Sequence, residues 1–583
     1  MRSTGRAFVV LFSLMIITAA CAPSAGVPRT SDASSQPQAA PRSPARTLVI
    51  AMHVEPTTLA PRPITTSGAT PDSPPLLFSS WLVVADGHNV ARPQLAEKLP
   101  ELNTDDWQVF PDGTMRTTYH LRAGLTWQDG APLTASDVVF GYKVFTWADL
   151  GVPRETPISL VQDVAAPDDR TVVINWKQPY GDAGALATGR YGGIPPMPRH
   201  LLETKFQAGD AQAFANDPYW TNEFVGSGPY KLDRWEPGAF ILASAWDGFV
   251  EGKPKIEQLK IVTIADASTA SASLRAGEIN VAAQEAIGFA EGAFLKKSWE
   301  STGAGKVLLT PNKSRFLQVQ FKPDYNTQRA LLDLRVRRAI LQATDREALS
   351  GAILDGEPAV AHALTGPSEE YFADLDRVVT KYPYNLQEAE RLLTDAGFTK
   401  RTDGFAPGYF VDASGQRLSF ELRAFAADPG PTEAAILASQ WKNFGIDAPI
   451  YVIPAAQSQS LEQVSAYPGV RIEQTGLNGT TPIGKLQSQF VATAENRWSG
   501  VNRGGWVNAD FDRLANVYVA ALDRAQRNQA AVQAFKVASD ELGDIPLYYL
   551  SLASAYTSDL EGMVGGYNGD TAWDNVFQWR WVR

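Results

Sequence analysis

Apolar residues recur in this chain at the three- and four-residue spacing of amphipathic helices, and glycine or a short apolar strand pattern often follows. The clearest run holds Leu386, Ala389, Leu392, Leu393 and Ala396 at helical spacing. Asn385 with Glu388 three residues on provides a capping start, and Gly397 ends the helix, so both boundaries are chemically specified. A second helix is predicted from about Glu433 to Phe444, carrying Ile436, Leu437, Trp441 and Phe444 and stopping at Gly445. Ile446 to Ile453 then alternates like a strand. A third start lies at Thr134 with Asp137, ahead of Val138, Val139, Tyr142 and Phe145. Leu48-Val49-Ile50, after Thr47, reads as a short buried strand. Helix, glycine stop and strand in repetition predict an α/β architecture, without a repeat of fixed period.

The first 46 residues follow another pattern. Arg2 and Arg6 precede an apolar stretch from Ala7 to Ile17, then Thr18-Ala19-Ala20 and Cys21. The stretch is too short for a permanent membrane span and reads as a signal peptide over 1–20. Ala22 to Arg46 is rich in Pro, Ser and Ala, the composition of a disordered linker, so residues 21–46 separate the cysteine from a fold that begins near Thr47. No later apolar run approaches the ~20 residues of a transmembrane helix.

Cys21 is the single cysteine in 583 residues, which excludes an intrachain disulfide and any cysteine-based metal cluster. The charge balance, 52 Lys+Arg against 63 Asp+Glu, argues against a nucleic-acid partner, whose phosphates need neutralising. At 44% hydrophobic, the chain has a large core available, divided among units of ~100 to 200 residues each.

Catalytic signatures are missing: there is no Gly-x-Ser-x-Gly elbow, His-Glu-x-x-His or Cys-x-x-Cys. Thr302-Gly303-Ala304-Gly305-Lys306-Val307 has Glu300 in place of the first glycine of a phosphate loop and no Ser or Thr after the lysine. His53, His88, His120, His200 and His362 are scattered without ligand spacing. No metal and no cofactor is expected. A paired-carboxylate hydrolase stays open, because carboxylate separation is a property of the fold.

One long stretch carries a family resemblance. Leu121 to Val139 joins a strand end, an Asp129-Gly130 turn, a stiffening Pro132 and the Thr134 helix cap. As a whole it resembles the signature of the family 5 extracellular solute-binding proteins, the oligopeptide- and dipeptide-binding class of ABC-importer receptors. Pro93-Gln94-Leu95-Ala96-Glu97, Gly226-Ser227-Gly228-Pro229-Tyr230, Asp333 to Ala339 with Asp345-Arg346-Glu347, Tyr384 to Gly397, Phe444-Gly445-Ile446, Asn508 to Asp512 and Ile545-Pro546-Leu547-Tyr548 agree in order and spacing. Gly226 and Gly228 are expected to serve backbone geometry, and Arg335, Arg337 and Arg338 to solvate or pair on a helix face. The segment around Cys21 is similar to a bacterial lipoprotein signal, although Thr18 stands where leucine is usual.

The resemblance implies a two-lobed periplasmic-binding-protein-like α/β fold with an additional domain inserted in the first lobe. Transferred by motif order, the first lobe comprises 46–84, 223–310 and 549–583, the inserted domain 85–222 and the second lobe 311–548. It further implies a non-enzymatic role: an extracytoplasmic receptor, monomeric and lipid-anchored at Cys21, that closes on a solute and docks on a membrane permease. A peptide or peptide-like solute is expected, with a carbohydrate or other polar solute as the alternative. Peptide-binding members carry a Trp and an Asp where this chain has Gln474-Thr475-Gly476-Leu477-Asn478-Gly479. A neutral Asn478 supplies no charge-assisted partner for a peptide's α-amino group. Candidate solute contacts are Gln474, Asn478, Arg497, Trp498 and Trp506, with Trp81 opposite.

Overall fold

The computed structural model describes residues 46–61, 75–86, 90–151, 157–186, 193–356, 359–367, 369–401, 408–426, 429–458, 460–477, 480–564 and 573–582. Cys21, its linker, His88 and Asn478 lie outside the described residues. Among the described residues no helix is long and apolar enough to cross a membrane.

A ten-stranded mixed sheet organises the chain. In spatial order its strands are Ile450–Ile453, Leu422–Phe425, Val470–Gly476, Gly305–Val319, Asp544–Thr557, Val281–Ile287, Thr47–Met52, Gln258–Thr263, Phe240–Ala245 and Tyr230–Glu236. The two central strands are the longest, at 15 and 14 residues, and run antiparallel to each other. Their outer neighbours attach at opposite ends. Val470–Gly476 pairs with the first long strand from Lys313 to Val319, whereas Val281–Ile287 pairs with the second between Ala553 and Tyr556. Between these stretches, Thr310 and Pro311 face Leu552 and Ser551 as a two-stranded ribbon, and the register shifts between Pro311 and Lys313. Proline removes one ladder donor and the bulge adds local twist, so the backbone is least braced where the sheet passes from one lobe to the other.

Each lobe has its own core. In the second lobe Leu317, Val319, Val470 and Ile472 pack under the helix Gly430–Phe444, which contributes Leu437, Trp441 and Phe444. On the opposite face Phe316 meets Ile483, Leu486, Trp506 and the helices Ala509–Ala520 and Arg524–Glu541. A separate antiparallel sheet of four strands spans Trp107–Val109, Met115–His120, Thr171–Trp176 and Val161–Asp168. It interrupts the chain between two strands of the large sheet, Thr47–Met52 and Tyr230–Glu236, and buries Met115, Tyr119, Ile174 and Trp176 against Val138 of the helix Ala135–Phe145. This inserted sheet reaches the second lobe through Gly181, whose N–H donates to Val519 O at 3.0 Å, and through an Asp182–Arg527 ion pair.

Local chemistry accounts for the boundaries. Asn385 accepts from the Glu388 N–H at 3.0 Å and opens the helix Leu386–Asp395. The Thr134 N–H donates to Asp137 Oδ2 at 2.8 Å. Gly445 ends its helix at φ 116°. Gly226 and Gly228 pass so close to the 78–79 backbone that a Cβ on them would lie 1.9 Å from Phe78 O and 2.4 Å from Phe78 C. Two expectations change. The strand expected from Ile446 is confined to Ile450–Ile453, just beyond Pro449, which has no N–H to pair. Arg335 does pair on a helix face, with Asp333, but Arg337 is buried and donates to Leu331 O, Leu332 O and Glu541 O, satisfying carbonyls at a helix end.

Candidate solute site in the second lobe

Polar residues concentrate on the strand Val470–Gly476 and the first long strand, beside the unbraced ribbon. Side chains alternate across these strands, so the polar set divides into two groups on opposite faces.

The first group lies under the helix Gly430–Phe444. Gln474, Arg315 and Tyr548 occupy matching register positions on three adjacent strands. Glu433 descends between them from the helix, fully buried. Arg315 Nε donates to Glu433 Oε1 at 2.9 Å, its Nη2 pairs with Oε2, and its Nη1 donates to Gln474 Oε1 at 3.1 Å. The Tyr548 hydroxyl donates to Glu433 Oε1 at 2.6 Å. Burial works against the Arg315 charge, but the Glu433 carboxylate holds its pKa above the ordinary value. Burial, with the Glu433 charge, keeps the Tyr548 hydroxyl protonated. Gln474 is the exposed member, so the network presents an oriented amide to solvent with a fixed charge pair behind it.

The second group lies on the other face. Arg471, Gln318 and Asp544 share a register position across the same three strands. Arg471 Nη2 donates to Gln318 Oε1 at 2.9 Å and to Glu473 Oε2 at 2.6 Å. Arg503 and Lys485 approach the same Glu473 oxygen at 3.5 and 4.0 Å. Burial alone would raise the Glu473 pKa, but Lys485, Arg471 and Arg503 drive it well below the carboxylate range. Arg503 can approach because two glycines follow it: a Cβ on Gly504 would lie 2.6 Å from Val319 O, and Gly505 has φ 77° and packs on the Lys322 side chain.

A third feature adjoins it. Lys322 Nζ donates to Ser465 O and Ala492 O and lies 5.2 Å from the centroid of the Trp498 ring and 5.4 Å from that of Tyr325. Burial, then the Arg471 charge, lowers the Lys322 pKa to about 8. Arg497 and Trp498 both have positive φ, 54° and 62°, a costly conformation for two consecutive non-glycine residues. It leaves Arg497 exposed and the half-buried indole 5.7 Å from the Tyr325 ring.

The residues expected from sequence are thus dispersed. Gln474 belongs to the Glu433 network, while Arg497 and Trp498 sit on the strained loop. Trp506 is 5% exposed in the core with Phe511. Trp81 is 1% exposed in the first-lobe core, where its backbone N–H donates to Gln94 Oε1. Sequence reasoning misses Arg315, Glu433, Tyr548, Arg471, Glu473, Lys485 and Arg503. One signal is visible: Arg471 and Glu473 alternate with Val470 and Ile472, as on a strand with one apolar and one charged face.

Comparison with known proteins agrees with this architecture. The chain is 27% identical over 561 residues to the oligopeptide-binding protein AppA of Bacillus subtilis (strain 168), covering 95% of this chain and 94% of that protein. The oligopeptide-binding protein of Thermus thermophilus, solved with a pentapeptide, superposes with a TM-score of 0.74 at 23% identity, covering 92% and 96% of the two chains. NikZ of Campylobacter jejuni, solved with Ni(L-His), gives 0.72 at 24% identity, covering 91% and 99%. The model of the middle region of the bacterial extracellular solute-binding proteins, family 5, matches residues 92–495, and this chain belongs to that family.

Proposed function

We propose that the protein is the extracytoplasmic substrate-binding receptor of an ABC importer, which captures a peptide or peptide-like solute between its closing lobes and delivers it to a membrane permease. The observation that carries this reading is the two-stranded ribbon at Thr310–Pro311 and Ser551–Leu552, which joins the two lobes between their main cores, where bending disturbs the least packing. The solute's differential affinity for the closed form then shifts the population, and no bond is made or broken. Gln474, Arg497 and Trp498 are the contacts we assign to the second lobe. Asn478 belongs to the adjoining segment, and Trp81 and Trp506 back the walls from within their cores. The boundaries follow the same reading: first lobe 46–84, 223–310 and 549–583, inserted domain 85–222, second lobe 311–548. The receptor acts as a monomer held to the membrane by lipid on Cys21, so Cys21→Ser should release it from membranes with solute binding intact.

A second reading, a polar non-peptide solute, is favoured by the likeness to NikZ, solved with Ni(L-His). Calorimetry separates the two. A peptide receptor whose segment 474–479 contains no carboxylate should lose less than about tenfold in affinity, ~1.4 kcal/mol, when its peptide is N-acetylated. A larger loss contradicts the assignment of that segment, and no peptide binding at all favours the second reading.

A further inference from the structure

The polar face of the strand Val470–Gly476 contains more positive charge than its carboxylates balance. Arg471, Arg503 and Lys485 converge on one oxygen of Glu473, at 2.6, 3.5 and 4.0 Å. A single carboxylate oxygen cannot use all their donors. Arg471 is fully buried, yet its Nε and Nη1 have no partner, and neither do Arg503 Nε and the Tyr467 hydroxyl. The Arg471 guanidinium lies 5.2 Å from the Tyr467 ring centroid, and the Gly504 backbone closes over the Tyr467 hydroxyl. These donors therefore share one enclosure. Asp544, a second acid on this face, leaves its Oδ2 unpartnered, and burial raises its pKa, so two acids stand against three cations. Lys485 and Arg503 keep 18% and 24% of their side-chain surface exposed, which opens the enclosure to solvent on their side. Unpaired charge-bearing donors in a buried setting are costly unless an anion completes them.

We propose that this recess of the second lobe is an anion site for a carboxylate group, with Lys485 and Arg503 at its mouth and Arg471 and the Tyr467 hydroxyl at its floor. Glu473 already sits among the three cations, so a second carboxylate is received only because their donors exceed what Glu473 can use. Two sources share the chemistry: an acidic group of the captured solute, which rests on the receptor reading above, or a free small carboxylate, which does not.

The test uses the full mature protein, freed of co-purified solute by unfolding and refolding, with sodium acetate as the probe. In the wild type the thermal midpoint should rise saturably with acetate. In Arg503→Gln and Lys485→Gln, whose side chains are partly exposed, half-saturation should move up at least tenfold, whereas Arg503→Lys should retain most of the response. The same acetate dependence in all four proteins would overturn the proposal, since it would be a general salt effect. The solute arm compares a bound peptide with its form amidated at every carboxyl group. A tenfold loss in the wild type that vanishes in Arg503→Gln identifies the solute as the source, and equal affinities identify a free anion. Failure of the receptor reading would leave no peptide binding to compare, but the acetate response would still be readable.

Discussion

The residue that best shows how the site is stabilised is Glu433. It lies in the first turn of the helix Gly430–Phe444, where a carboxylate is favoured by the helix N-terminus, and it is fully buried against Arg315 and the Tyr548 hydroxyl. Glu433→Gln would leave the Arg315 guanidinium buried without its counter-charge. The expected cost is about 3–5 kcal/mol in denaturant unfolding. A loss below ~1 kcal/mol, as for an exposed pair, would contradict this account of the network. The sequence pattern marks Glu433 as the start of a helix but not as a partner of Arg315. The two are 118 positions apart, and their contact depends on which strand lies under which helix turn. Gln474 and Trp498 are singled out in the sequence because the family resemblance marks their segment. Arg471 and Glu473 can be singled out by their alternation with Val470 and Ile472, though not paired with Lys485 and Arg503.

At the scale of elements, the helix ends are legible because capping is local: Asn385 holds the Glu388 N–H, and Gly445 supplies the left-handed stop. Strand extent is less so, since pairing depends on a neighbour: Asp447 makes a single bridge to Ser419, and a continuous ladder begins only at Ile450, beyond Pro449. The Arg503–Gly504–Gly505 turn is held against the second lobe's part of the large sheet. It packs so tightly on the first long strand that a methyl group at Gly504 would meet Val319 O at 2.6 Å. Gly504→Ala should cost about 1–3 kcal/mol, as overpacking does, seen as a lower denaturation midpoint. An unchanged midpoint would mean that this turn is not held against the strand.

The whole molecule is arranged around the place where its large sheet is weakest. The long strands are continuous through both lobes, but each outer neighbour stops short of the middle, leaving Thr310 and Pro311 paired with one strand only. The inserted sheet contacts the second lobe away from this ribbon, at Gly181–Val519 and Asp182–Arg527. Bending at the ribbon would therefore make or break that contact as the lobes close or open. The two-lobed plan is legible from the order of motifs, whereas the Asp182–Arg527 pair joins residues 345 positions apart and has no local signature. The most direct test of closure is small-angle X-ray scattering on the solute-free protein and on the same sample saturated with the solute that co-purifies with it. Lobe closure should give a smaller radius of gyration with solute, reversed when the solute is removed. Superimposable profiles at saturation would contradict capture by lobe closure.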